Sequence, residues 1–160
     1  MKTGTGRTKF LLTVAIMLSC LSCNSNLIYT DSKMINEAAW DLFDKAEFEF
    51  DSADTLKNLS VSFTLRTGSQ YPYRNIFLFV TTTAPDGKNI TDTLEYQVAD
   101  DSGHWLGKGL GDIHEITLPY KTNVFFPLKG SYIFTIQHGM RDNVLRGVYD
   151  VGIRIGNFEP

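Results

Sequence analysis

Residues 75–98 read NIFLFVTTTAPDGKNITDTLEYQV, and the fold follows from them. Two runs rich in β-branched and aromatic residues flank Pro85-Asp86-Gly87, a combination that turns the chain without a helix. The first run, Asn75–Thr82, is apolar at successive positions, which predicts a central strand covered on both sides. The second, Ile90–Val98, alternates, with Leu94, Tyr96 and Val98 on one side and Thr93, Glu95 and Gln97 on the other, as a strand with one dry face does. Together they predict a β-hairpin.

The same period of two recurs on either side. Phe48 and Phe50 alternate with Glu47, Glu49 and Asp51; Leu59, Val61, Phe63 and Leu65 alternate with Ser60, Ser62, Thr64 and Arg66. Beyond the hairpin, Ile113–Leu118 and Val124–Phe126 are short strand candidates separated by Pro119, followed by faces made of Tyr132, Phe134 and Ile136 and of Val151, Ile153 and Ile155. About eight strands with turns roughly every ten residues, and almost no helical period, predict an all-β fold: an antiparallel β-sandwich, jelly-roll-like. At 160 residues the chain has room for one such unit, expected over residues 46–160.

The N-terminus belongs to something else. Lys2, Arg7 and Lys9 precede the apolar run FLLTVAIML at 10–18, and SCLSC follows at 19–23, the charged, apolar and cleavable parts of a signal peptide in order. A run of about nine apolar residues is too short to span a bilayer, which takes about 20. The spacing fits a lipoprotein signal over residues 1–22 with Cys23 as the acylated residue. Acylation of Cys20 and an ordinary secretory cleavage are the alternatives. Cys20 and Cys23 are the only cysteines, so the rest of the chain has neither a disulfide nor a thiolate metal cluster to offer. Residues 23–45 are expected to form a tether, with Trp40 and Phe43 clipping it to the core.

The whole chain carries 15 Lys and Arg against 18 Asp and Glu, a net charge of −3, and loses three bases with the signal. No basic run beyond it suggests nucleic acid as a partner.

The stretch richest in chemistry is GHWLGKGLGDIHE at 103–115. A phosphate loop needs GxxxxGK followed by Ser or Thr and a helix to receive the anion, whereas here Lys108 precedes Gly109 and a strand pattern. His104, His114, Asp112 and Glu115 lack metal-site spacing. No cysteine follows Cys23 and no serine stands in a GxSxG turn. The four glycines indicate a tight reversal at positive φ, with Trp105 and Leu106 meeting the core or a partner. Within residues 137–152, Arg141 and Arg146 are the side chains suited to gripping a carboxylate or an acidic surface. Local pairing with Asp142 and Asp150, across a connection long enough for a short helix, is the structural alternative. The expected partner face is therefore Trp105, His104, Lys108, Arg141 and Arg146, with no catalytic residue, metal or cofactor.

The order of PDG (85–87), DTLEY (92–96), GHWLGKGLGDI (103–113), FPLKGSY (126–132) and GVYDVGIRI (147–155) closely resembles the gliding-motility lipoprotein family, GldH. The resemblance covers nearly the whole chain after the signal, and WLGKGLGD is its most specific part. It implies a non-enzymatic lipoprotein of the Bacteroidetes cell envelope, held to the outer membrane facing the periplasm, which serves gliding and type IX secretion by docking on other envelope proteins. It also makes Asp51-Ser52-Ala53, Asp54-Thr55-Leu56 and Asp92-Thr93-Leu94 resemble the O-glycosylation sequons of that phylum. A carbohydrate-binding sandwich, with Tyr71, Tyr73 and Trp105 stacking on a glycan, is the alternative function.

Overall fold

The computed structural model describes residues 26–159. The signal segment, Cys20 and Cys23 lie outside the described residues. Eight strands of seven to twelve residues carry the fold: β1 (Leu27–Met34), β3 (Ala46–Ser52), β4 (Leu59–Thr67), β5 (Asn75–Thr83), β6 (Asn89–Gln97), β8 (Ile113–Val124), β9 (Gly130–His138) and β11 (Val148–Asn157). Three strands of three residues are added to them, β2 (Ala39–Asp41), β7 (Lys108–Leu110) and β10 (Val144–Arg146). Among the described residues the count is therefore eleven, and the excess over the expected eight consists of pieces too short to show a period.

All pairings are antiparallel. One sheet has the order β1-β11-β4-β8-β7, the other β3-β9-β5-β6, and β10 pairs with β2 apart from both. Among the eight long strands the first pairs with the eighth, the second with the seventh, the third with the sixth and the fourth with the fifth. That nesting is a long double ribbon folded over itself, which is the jelly roll. It derives from the 75–98 hairpin, because the fourth and fifth strands form the innermost turn.

Each sheet turns one face inward. In β3 the residues of AEFEFDS alternate buried and exposed without exception. Phe63, Leu65, Ile76, Leu78, Phe134, Ile136, Ile153 and Ile155 meet between the sheets, all buried; burying each such side chain contributes about 1.5–3 kcal/mol. Strand β5 is central, between β9 and β6, but its outer face is only partly covered. Phe79 is 39% exposed, and its ring lies against Gly139, at whose position an added Cβ would come within 2.9 Å of it. A passing loop thus takes the place of the second layer expected there.

Two further differences concern the ends of elements. Pro119 does not divide two strands: β8 runs through it, with register shifts between Leu59 and Ser62 on the neighbouring β4. The irregularity removes the need for the N–H that proline lacks. The segment expected as a tether is, from Leu27, an edge strand paired along β11. Trp40 is fully buried and its Nε1–H donates to the Asp44 carbonyl at 2.8 Å, whereas Phe43 is 80% exposed and clips nothing.

The pairing gives the body two ends. Leu27 is level with Gly156, and the chain toward Cys23 leaves at this end. Met34, Asp150, Arg66, Glu115 and Lys108 form one row across the sheet at the other. Seven residue steps of β-strand separate the rows, about 23 Å.

Candidate functional site

The glycine-rich stretch lies at the end remote from Leu27 and is built as two reversals. In the first, the Asp100 carboxylate accepts from the backbone N–H of Ser102 at 2.9 Å and of His104 at 2.8 Å, and Gly103 takes φ 83°. The N–H of His104, together with its ring, holds the Asp100 carboxyl below its ordinary pKa. Trp105 then bridges to Ala99, and the Leu106 N–H donates to the Val98 carbonyl at 2.9 Å. In the second, β7 and β8 form a hairpin closed by Gly111-Asp112, with Leu110 opposite Ile113 and Gly111 at φ 70°.

The glycines divide into two kinds. Gly103 and Gly111 supply positive φ, as the sequence suggests. Gly107 and Gly109 serve close approach: an added Cβ at Gly109 would stand 2.0 Å from the Ile113 carbonyl oxygen, and one at Gly107 2.6 Å from that of Glu115.

Trp105 is half-buried. Its indole stacks on His114 at 5.9 Å and 20°, and meets Tyr71 at 6.3 Å. Tyr71 is buried, donates from its hydroxyl to the Asn75 carbonyl at 2.8 Å, and contacts Tyr73 at 6.1 Å. The Tyr73 hydroxyl donates to Asp142 at 2.7 Å; that bond raises the phenol's pKa. Burial, and then the neighbouring Tyr73, raise that of Tyr71. This chain of four side chains joins the glycine hairpin to the 139–146 segment, so both sequence-predicted loops occupy one end of the sandwich.

Of the expected partner-face residues, His104, Lys108, Arg141 and Arg146 are exposed and Trp105 is partly so. The arginines do not pair as the local alternative supposed. Asp150 is buried against Arg66, and Asp142 is taken by Tyr73. Glu115, opposite Lys108, is bound by Arg154 at 2.8 Å. Among the described residues Lys108, Arg141 and Arg146 have no ion-pair partner. The connection holds no helix; it bends through Gly139 into β10.

Sequence reasoning missed Leu110, which is 96% exposed at the hairpin tip. The signal was present: a leucine between Gly109 and Gly111 has no neighbouring side chain to shelter it. Together with Leu106 and Ile113, also exposed, it makes the tip apolar beside Lys108.

For chemistry the cluster offers little. His104 Nδ1 lies 3.2 Å from Asp100 Oδ2, yet among the described residues no hydroxyl bonds to the ring's other nitrogen, and no three His, Cys, Asp or Glu side chains are grouped to hold a metal. The three aromatics expected to stack on a glycan do not form one platform, since Tyr71 is buried and one face of Trp105 is taken by His114. Of the three sequons, Ser52 is buried in β3, Thr55 lies in the following loop, and Thr93 is exposed on β6.

The family model for the GldH lipoprotein matches residues 27–155, from the first residue of β1 nearly to the end of β11. The chain belongs to the GldH lipoprotein family. It is 37% identical over 153 residues to a "gliding motility lipoprotein GldH homolog" of Christiangramia forsetii, covering 91% of each chain. It is 35% identical over 152 residues to "gliding motility lipoprotein GldH" of Flavobacterium johnsoniae, covering 91% of this chain and 92% of that one. Among solved structures, a carbohydrate-binding module of the β-sandwich superfamily aligns at TM-score 0.36 and 10% identity, over 86% of this chain and 58% of that one. A structure of T=1 particles derived from infectious bursal virus aligns at 0.30 and 17%, over 81% and 29%. No functional statement follows from either. In the family's terms, the match takes in both reversals of the hairpin and the whole 139–146 segment.

Proposed function

We propose that the chain is a non-enzymatic, lipid-anchored protein of the cell envelope that docks on other envelope proteins through the end of the sandwich remote from its anchor. Acylated at Cys23 and held to the outer membrane on its periplasmic side, it serves the machinery of gliding and type IX secretion. The observation that carries this reading is the placement of the two loops. The apolar hairpin tip and the unpaired cations of the 139–146 segment share the end about 23 Å from the row where the chain leaves toward Cys23. A body tethered there presents that end to its neighbours. Interfaces draw their energy from a few apolar or aromatic anchors with arginines close by, and Leu110, Trp105, Arg141 and Arg146 supply both kinds.

The test is co-purification from crosslinked envelopes at native expression. Leu110→Asp and Arg141→Ala are each expected to lose the associated proteins while leaving the unfolding midpoint within a few degrees, because both residues are exposed. Undiminished association in both variants would overturn the assignment of these loops.

A further inference from the structure

At the opposite end, the sheets part. Between the start of β6 and the end of β8 lies a cleft of about 500 Å³ whose walls are Val61, Ala84, Val124, Phe126, Tyr132 and Phe134. Native interiors are packed as densely as organic crystals, and ligand sites of this kind run to about 300–1,000 Å³ with apolar walls and a few polar groups. The polar groups are at the lip: Lys88 pairs with Asp86 at 2.8 Å and Lys121 with Asp92 at 2.9 Å, and the Tyr120 hydroxyl donates to Asp92 at 2.8 Å. Ile90 and Phe125, which also line the cleft, are 69% and 57% exposed. Large side chains left in water beside an apolar cleft indicate that something covers them.

The position of the cleft names the occupant. It lies at the end where the described chain begins, at Asn26, whose carbonyl accepts from Asn157 N–H at 2.8 Å. Phe126 in the cleft wall touches Phe50 at 5.2 Å, and Phe50 touches Tyr29 of β1 at 5.7 Å, so the wall is two ring contacts from the first described strand. Three residue steps lead from Asn26 to Cys23, a reach of about 10 Å. We infer that the cleft takes one acyl chain of the protein's own lipid anchor, with the paired lysines at the lip meeting the ester oxygens of the glyceryl group. Tethering at that length gives the chain an effective concentration near millimolar, which favours it over free lipid. The inference rests on acylation of Cys23, part of the function proposed above.

The cleft itself is tested on the unacylated protein, the chain from residue 23 with Cys23→Ser, which keeps every buried residue of the described core. Titrated with cis-parinaric acid, a fluorescent fatty acid, it is expected to bind one molecule. Ala84→Trp, which fills the cleft, and Phe125→Asp, at its exposed lip, are each expected to weaken binding at least about tenfold. No binding by the folded, unacylated protein overturns the inference. Self-occupancy is read from the alkylation rate of an Ala84→Cys thiol, expected to be several-fold slower in the acylated protein than in its Cys23→Ser counterpart; equal rates overturn it. Mass spectrometry of the native protein reports acylation independently, so a missing acyl group sinks the anchor reading while the titration still decides whether the cleft binds fatty chains.

Discussion

Trp40 and His138 show how a single buried pair of rings fixes the N-terminal segment. Both are fully buried and stand edge to face at 5.2 Å. Trp40→Ala removes the indole and its bond to the Asp44 carbonyl and is expected to cost about 4 kcal/mol, read by urea unfolding. His138 donates from Nε2 to the Trp40 carbonyl at 3.1 Å, while Nδ1 has no partner. Protonation would place a charge on that unpartnered nitrogen. Burial holds its pKa below the ordinary 6.5, against the smaller upward pulls of the Trp40 carbonyl, Asp41 and Asp142. The unfolded chain therefore binds a proton that the folded one resists. The stability owed to neutral His138 is present in full above pH 6.5 and is lost as pH falls through it, by at most about 1.4 kcal/mol per pH unit. Unfolding free energies between pH 7.5 and 5.5 are expected to show that decline and to show a shallower one in His138→Gln; identical slopes would contradict it.

Elements with a strong period were legible in the sequence and those without one were not. The 75–98 hairpin, β3, β4, β9 and β11 follow from alternation, because in a sandwich the inward face must be apolar at every second residue. β2, β7 and β10 hold three residues each, too few to show a period, and β10 was hidden behind a connection that reads equally as a short helix. β1 was missed for a physical reason: LIYTDSKM is an edge strand exposed along most of its length, so its sequence is under no demand to alternate. The candidate site was legible as a set of residues but not as one place, because the link through Tyr71, Tyr73 and Asp142 is purely three-dimensional. The hairpin gives a test at this scale. Gly109→Ala forces β7 off β8 and is expected to shift Trp105 emission in a Trp40→Phe background, at a cost of about 1–2 kcal/mol because the strand is short and peripheral.

The whole molecule is a body with two unlike ends joined by a jelly roll. Its first long strand is the mostly exposed edge that covers β11, so the chain from Asn26 is expected to fold as a monomer, whereas deletion through Met34 leaves β11 paired with β4 alone and makes that largely buried ten-residue strand the new edge. Such edges aggregate, and light scattering of the shorter protein is expected to rise at concentrations where the longer one stays monomeric. In the function proposed above, one end of the sandwich faces the membrane and the other faces partners. A photo-crosslinking amino acid placed at Leu110 or at Leu56, in cells expressing the acylated protein, reads both ends in one experiment. Both side chains are exposed, at opposite ends of the sandwich. Discrete protein adducts are expected from Leu110 and none from Leu56; adducts from Leu56 with none from Leu110 would overturn the proposed orientation.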